Sequence, residues 1–119
     1  MLVEYRKDYQ KIAVGLLSFI SELHQYNRSR SELDWAVKAH YPVLLWKDDQ
    51  GSHMIGVVII EVFSKAVLVR RISFTPSERT GRKIFDCLTA IAKRYPDKRL
   101  LGTIATQPLV SSWERDYFA

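Results

Sequence analysis

The chain has one cysteine, Cys87, in 119 residues, so no internal disulfide can staple it and a reducing compartment is the natural setting. It also has no charged-then-apolar leader with a cleavage site, which fits the cytoplasm. Long hydrophobic runs are missing. The longest, at 55–60, is far short of the roughly 20 residues that span a bilayer, so no membrane role is expected. Five glycines and four prolines leave no room for long linkers, low-complexity tracts or repeats. His24, His40 and His53 lack metal-ligand spacing with each other or with Cys87, and no metal is assigned.

What is present is enough for one domain, 1–119: apolar residues make up 47% of the chain, which supplies one ordinary core. Eighteen Lys and Arg against thirteen Asp and Glu give +5. That balance suits an anionic partner, and it is spread along the chain rather than gathered in a tail. The basic residues do not alternate with aromatics as in single-strand readers, so the pattern does not favour a nucleic-acid partner. A basic interaction domain is the remaining alternative of that class.

Leu2 to Tyr5 is a short first strand. Asp8 is placed to cap a helix in which Ile12, Ala13, Leu16, Leu17 and Ile20 recur at helical spacing. The polar stretch 21–30 reads as a connection, and Ser31 as the cap of a second, short helix over 32–40. PVLLWK (42–47) and MIGVVIIEVF (54–63) are strands joined at DDQG, and Ser64 and Lys65 make the turn into a third strand, Ala66 to Phe74. These three form an antiparallel meander. GSHM (51–54) belongs to the first hairpin turn.

After the loop from Thr75 to Arg82, residues Ile84, Phe85, Leu88, Ile91, Ala92 and Tyr95 mark one face of a helix. Pro96 ends it, Leu100 to Ala105 returns as a strand parallel to the third meander strand, and a last helix follows Pro108. The fold class is α+β, a mixed central sheet with helices on both faces.

Four residues stand out chemically. Glu61 is the only carboxylate within the strand run, either a general base or an ion partner for Arg70 or Arg71. Adjacent Arg70 and Arg71 cannot both face solvent in a regular strand, and a β-bulge would resolve this. The alternative is a pair of arginines near a rim. Cys87 reads as an inert small residue on a helix rather than a nucleophile.

The element order, together with RRISFTPSERTGRKIFDCL (70–88), resembles the GCN5-related N-acetyltransferase (GNAT) superfamily. That family's central pattern is a strand ending in Val-x-Pro, a basic residue, and small residues opening a helix whose backbone N–H groups hold the pyrophosphate of coenzyme A. Here the strand end is Phe74, Thr75 and Pro76, and the basic residue is Arg79. The two small positions fall on Arg82 and Ile84, with Gly81 one place early. Within the superfamily the chain resembles the short RibT type encoded with riboflavin-biosynthesis genes, through KIAVGLLSF (11–19), LWKDDQ (45–50), IGVVIIE (55–61), VRRIS (69–73) and WER (113–115).

The resemblance implies transfer of an acetyl group from acetyl-CoA to an amine, on a small molecule or a protein. It implies pyrophosphate contacts at Arg79, Thr80, Gly81, Arg82, Lys83 and Ile84, and backbone contacts to pantetheine at Ile72 and Phe74. Glu61 then serves as base. The family's acidic Tyr aligns with Trp113, leaving Tyr117, one turn on, as substitute; the family's Asn before the last helix is Thr106 or Gln107. The family's usual last two strands have no counterpart, so the fold is curtailed or a homodimer completes the sheet. A coenzyme A binding protein without turnover is the alternative.

Overall fold

The computed structural model describes residues 1–78 and 81–119, and Arg79 and Thr80, two of the expected pyrophosphate contacts, lie outside the described residues. Five strands run in the order β1 (Leu2–Glu4), β2 (Val43–Lys47), β3 (Met54–Val62), β4 (Ala66–Phe74) and β5 (Arg99–Gly102). The first four are antiparallel neighbours, and β5 is parallel to β4. The meander and the parallel return follow the sequence reading. Helices α1 (Gln10–Leu17) and α2 (Tyr26–Lys38) cover one face, and α3 (Arg82–Arg94) and α4 (Gln107–Tyr117) the other.

Period-two alternation in the strands sorts side chains between the two faces. Val43, Leu45, Val57 and Ile59 pack with Ala13, Leu17, Leu33 and Ala36 under α1 and α2. Leu44, Trp46, Val58, Ile60, Val67 and Val69 pack with Leu88, Ile91, Val110 and Trp113 under α3 and α4. Leu88 and Ile91 are fully buried, and each contributes roughly 1.5–3 kcal/mol from burial. One polar tie crosses the first face: Ser73 Oγ on β4 donates to the Leu16 carbonyl of α1 at 2.6 Å.

The helices differ from expectation in three places. Asp8 does not cap α1. A 3₁₀ turn, Lys7–Tyr9, intervenes, and Asp8 instead accepts from Arg6 Nη2 at 3.1 Å. Ile12 is 42% exposed, and the buried face is Ala13, Val14, Leu16 and Leu17. Helix α2 starts at Tyr26, so Ser31 is inside it rather than its cap. Its first two turns bury only Ser29, whose hydroxyl is satisfied by the Tyr26 carbonyl at 3.1 Å, so there is no apolar periodicity to read there.

β5 stops at Gly102, three residues before the expected end, and α4 begins at Gln107 with Pro108 in its first turn, where a missing N–H costs nothing. The turn between them is tight. A Cβ on Gly102 would lie 2.6 Å from the Gln107 backbone and 2.7 Å from Thr106 Oγ1. Among the described residues, no helix is long and apolar enough to cross a membrane.

Gly102→Ala is therefore expected to destabilise the protein by about 1–3 kcal/mol, since backbone must move to admit the methyl. Gly15→Ala, a helix-interior site with nothing within 4 Å of the added carbon, is expected to stabilise by about 0.5–1 kcal/mol. Urea unfolding of both variants checks the pair, and equal effects would refute the packing account.

Candidate active site

The bulge that two adjacent arginines called for is present, and it organises the site. Ile59 of β3 pairs with Arg71 but Ile60 pairs with Val69, so Arg70 is the extra residue in β4. One inserted residue flips the parity of the strand. Val67 and Val69 face α3 and α4 before it, and Ile72 and Phe74 face them after it. Both arginines therefore emerge on the α1/α2 face. Arg70 Nη1 donates to Glu61 Oε1 at 3.0 Å, and Arg71 Nη2 donates to Glu32 Oε1 of α2 at 3.3 Å. The Arg70 guanidinium also lies over the rings of Trp35 and Tyr41, at 5.1 and 5.3 Å from their centroids, within cation–π range.

Glu61 thus occupies the ion-pair position that was one of its two readings, on the same face as the arginines. Above this group a cleft of about 640 Å³ is lined by Glu32, Trp35, Arg70, Arg71 and the 103–105 turn that follows β5.

Among the described residues, the part of β4 beyond the bulge has a strand on one side only. Thr75 N–H donates to the Ile55 carbonyl at 2.9 Å. In an antiparallel ladder the bonded direction alternates, so Ser73 and Arg71 also turn their backbone groups to β3, while Ile72 and Phe74 turn theirs to the opposite edge. On that edge β5 reaches only as far as Val69, paired with Gly102. The Thr106 hydroxyl takes over where the ladder ends, donating to the Val69 carbonyl at 2.7 Å and accepting from Thr103 N–H at 2.9 Å. Thr106, the candidate for the family's Asn, is thus the wedge between the two strands.

β4 leads into a short 3₁₀ turn, Pro76–Glu78, and α3 opens on Gly81. Gly81 has φ +98°, a conformation that side chains rarely adopt. The first internal bond of α3 runs from Phe85 N–H to the Gly81 carbonyl at 2.8 Å. The N–H groups of Arg82, Lys83 and Ile84 precede it and have no acceptor within the helix, the arrangement that holds anions at helix N-termini.

The side chains contribute less than the sequence suggested. Lys83 Nζ lies 3.0 Å from Glu78 Oε2 and 3.3 Å from Asp48 Oδ1, and the Glu78 hydrogen bond leads in raising its pKa. Arg82 is largely exposed and 3.9 Å from Asp86. Burial pushes the Asp48 carboxyl up, but the Lys83 hydrogen bond and the Gln50 backbone outweigh it and hold the group below its usual range.

Tyr117 is not brought to the bulge. It lies on the last turn of α4, stacked on Trp113 at 4.9 Å between centroids, and about 15 Å of helix separates it from Thr106. It lines a different groove, with Pro96, Arg99 and Phe118. Buried Trp113 directs its Nε1–H to Thr89 Oγ1 of α3 at 3.0 Å. Burial pushes the Cys87 thiol up to about 12, which leaves it inert as expected. Sequence reasoning missed Glu32, Trp35 and Tyr41 as neighbours of the arginines, because such contacts span the chain.

No family model matches the chain. It is 28% identical over 116 residues to an uncharacterized N-acetyltransferase from the lysA 3′ region of Bacillus methanolicus, covering 96% of this chain and 95% of that one. Its fold superposes on aminoglycoside N-acetyltransferase AAC(6′)-Iy in complex with CoA at a TM-score of 0.68, with 14% identity, over 100% of this chain and 86% of the other. It superposes equally on ribosomal-protein-alanine N-acetyltransferase from Brucella melitensis biovar Abortus 2308, at 0.68 and 13% identity, over 98% and 90%.

The Asp48–Lys83 contact gives a pH prediction. A carboxyl whose folded pKa is depressed adds stability above its unfolded pKa and loses it as pH falls through the folded value. Asp48→Asn should lower Tm at pH 7, and the gap to the parent should shrink as pH falls below the reference Asp pKa of about 3.9 and through the depressed folded value; melting curves at neutral and acid pH decide it. The chain has the fold of the GCN5-related N-acetyltransferases.

Proposed function

We propose that this protein is an N-acetyltransferase that uses acetyl-CoA and delivers the acetyl group to an amine entering from the α1/α2 face. The observation that carries the reading is the open edge of β4. The backbone of Ile72 is turned to a side that β5 does not reach, and the same strand runs on toward the positive-φ Gly81 and the helix N-terminus. An extended pantetheine arm can pair along that edge as a strand would. Its pyrophosphate then meets the N–H groups of Arg82, Lys83 and Ile84, with Arg79 and Thr80 contributing from the same loop.

Catalysis on this reading is chiefly positioning of amine against thioester. Glu61, on the acceptor face, takes the amine proton directly or through water. The leaving thiolate resembles a Cys thiolate, whose conjugate acid has a pKa of about 8.5, so it departs at neutral pH with little help. No residue is therefore assigned as acid. The full-length likeness to the Bacillus methanolicus N-acetyltransferase supports the activity, and the strings shared with the RibT type support that narrower placement. The lone, buried Cys87 suits the cytoplasm. The outer edge of β5 suits a strand from a second copy.

Trp113 favours a second reading, coenzyme A binding without turnover, because its only N–H is committed to Thr89.

Acetyl-CoA at a hundredfold excess over its Kd should stabilise the protein by roughly 2.7 kcal/mol, seen as a Tm rise of several degrees. Gly81→Val should remove most of that rise. Glu61→Gln should lower thiol release from acetyl-CoA by about 10²–10⁴-fold with the Tm rise intact. An unchanged Tm with acetyl-CoA would defeat both readings, whereas a rise without thiol release from any amine would leave only the second.

A further inference from the structure

We propose that the cleft over the bulge is the acceptor site for a small zwitterionic amine, an α-amino acid with an apolar side chain, whose carboxylate is held by Arg71. The inference rests on the acetyltransferase reading and names its substrate class.

The cleft lies on the α1/α2 face at the point where β4 and β5 part, and its volume of about 640 Å³ is in the range of small-molecule sites. Its charges are balanced. Of the two arginines that line it, Arg70 is paired with Glu61 and Arg71 with Glu32. A polycation would meet guanidinium groups there and a polyanion would meet carboxylates. A ligand with one charge of each sign matches both.

The two arginines are not equivalent. Arg70 is fixed between Glu61 and the faces of Trp35 and Tyr41. Arg71 donates to Glu32 through Nη2, and its Nη1 is 4.0 Å from the exposed Glu22, too far for a hydrogen bond. With five N–H donors in a planar fork, its guanidinium can take a carboxylate bidentately alongside Glu32. Because the bulge places Arg71 and Arg70 consecutively on one face, the carboxylate site and the Arg70–Glu61 pair are neighbours. In an α-amino acid the carboxylate and amine are likewise separated by a single carbon. A carboxylate on Arg71 would turn the amine toward the neighbouring Arg70–Glu61 pair, whose carboxylate is the base of the proposed reaction.

The walls specify the rest. Ile104 is 99% exposed and Trp35 44% exposed, and both line the cleft. These two apolar surfaces would be covered by a ligand carrying an aliphatic or aromatic side chain, which recovers the free energy their exposure costs.

Binding can be read without coenzyme. Of the three tryptophans, Trp46 and Trp113 are buried and Trp35 is exposed in the cleft, so L-leucine, which does not fluoresce, should change tryptophan emission saturably, and Trp35→Phe should abolish the change. L-leucinamide, lacking the carboxylate, should bind at least tenfold more weakly, and spermidine should give no response. Arg71→Gln should weaken L-leucine at least tenfold and leave L-leucinamide unchanged. Arg71→Lys, which keeps the charge and loses the fork, should fall between and guards against a folding defect. Equal titration of L-leucine and L-leucinamide, no response to either, or equal weakening of both by Arg71→Gln would overturn the proposal. Melting with acetyl-CoA, run in parallel, separates the two ideas: leucine binding without coenzyme stabilisation sinks the coenzyme reading alone, and the converse sinks the acceptor site alone.

Discussion

Most of the site depends on one inserted residue. A regular β4 would place Arg70 and Arg71 on opposite faces, and one of the two would fall among Leu88, Ile91 and Trp113, where an unpaired guanidinium costs several kcal/mol. The bulge avoids that cost by giving both to the α1/α2 face, where Glu61 and Glu32 meet them. The same insertion restores Ile72 and Phe74 to the α3/α4 core after the parity change. It also bends and twists the strand. Parallel β5, which follows β4 as far as Val69, ends at that point. The cleft and the paired arginines thus both follow from one local defect, and Thr106 satisfies the Val69 carbonyl where the β4–β5 ladder ends.

What could be read in the sequence follows from the range of the forces involved. Helix α3 was legible because its apolar residues keep a helical period for three turns. The meander was legible because DDQG and SK punctuate strongly alternating or continuous apolar runs. The bulge itself was legible from a charge pattern that a regular strand cannot accommodate. Helix α2 was only half legible, since YNRSRSE presents no apolar stripe and the face it buries there is made by Ser29. Asp8 carried the composition of a cap, but the chain spends those residues on a 3₁₀ turn and an Arg6 contact. The end of β5 depends on Gly102 meeting Gln107, a clash between residues five apart that no periodicity encodes.

The candidate site was legible in its backbone and not in its electrostatics. Gly81 is the residue whose positive φ opens α3, even though it stands one position away from the family's pattern. By contrast, Lys83 looked like a phosphate ligand from its place in the loop and is held between Glu78 and Asp48, the latter 35 positions away. The excess of +5 therefore overstates the charge available at the loop. An anion there would be held chiefly by oriented peptide groups, with Arg79 and Arg82 as the remaining cations of the segment.

That division bears on how the two halves of the proposed reaction would be recognised. Peptide N–H groups at a helix terminus and along a strand edge bind any ligand with a phosphate and an extended amide arm, and their geometry survives change in most side chains. The proposed acceptor cleft is lined by side chains, those of Arg71, Glu32, Trp35 and Ile104, which come from β4, α2 and the turn after β5. On the proposed reading donor recognition would follow from the fold, which is shared with structures only 13–14% identical, while acceptor choice would follow from this sequence. On that reading a cleft whose two arginines are each paired with a carboxylate, beside exposed Trp35 and Ile104, would favour a zwitterionic over a polycationic amine.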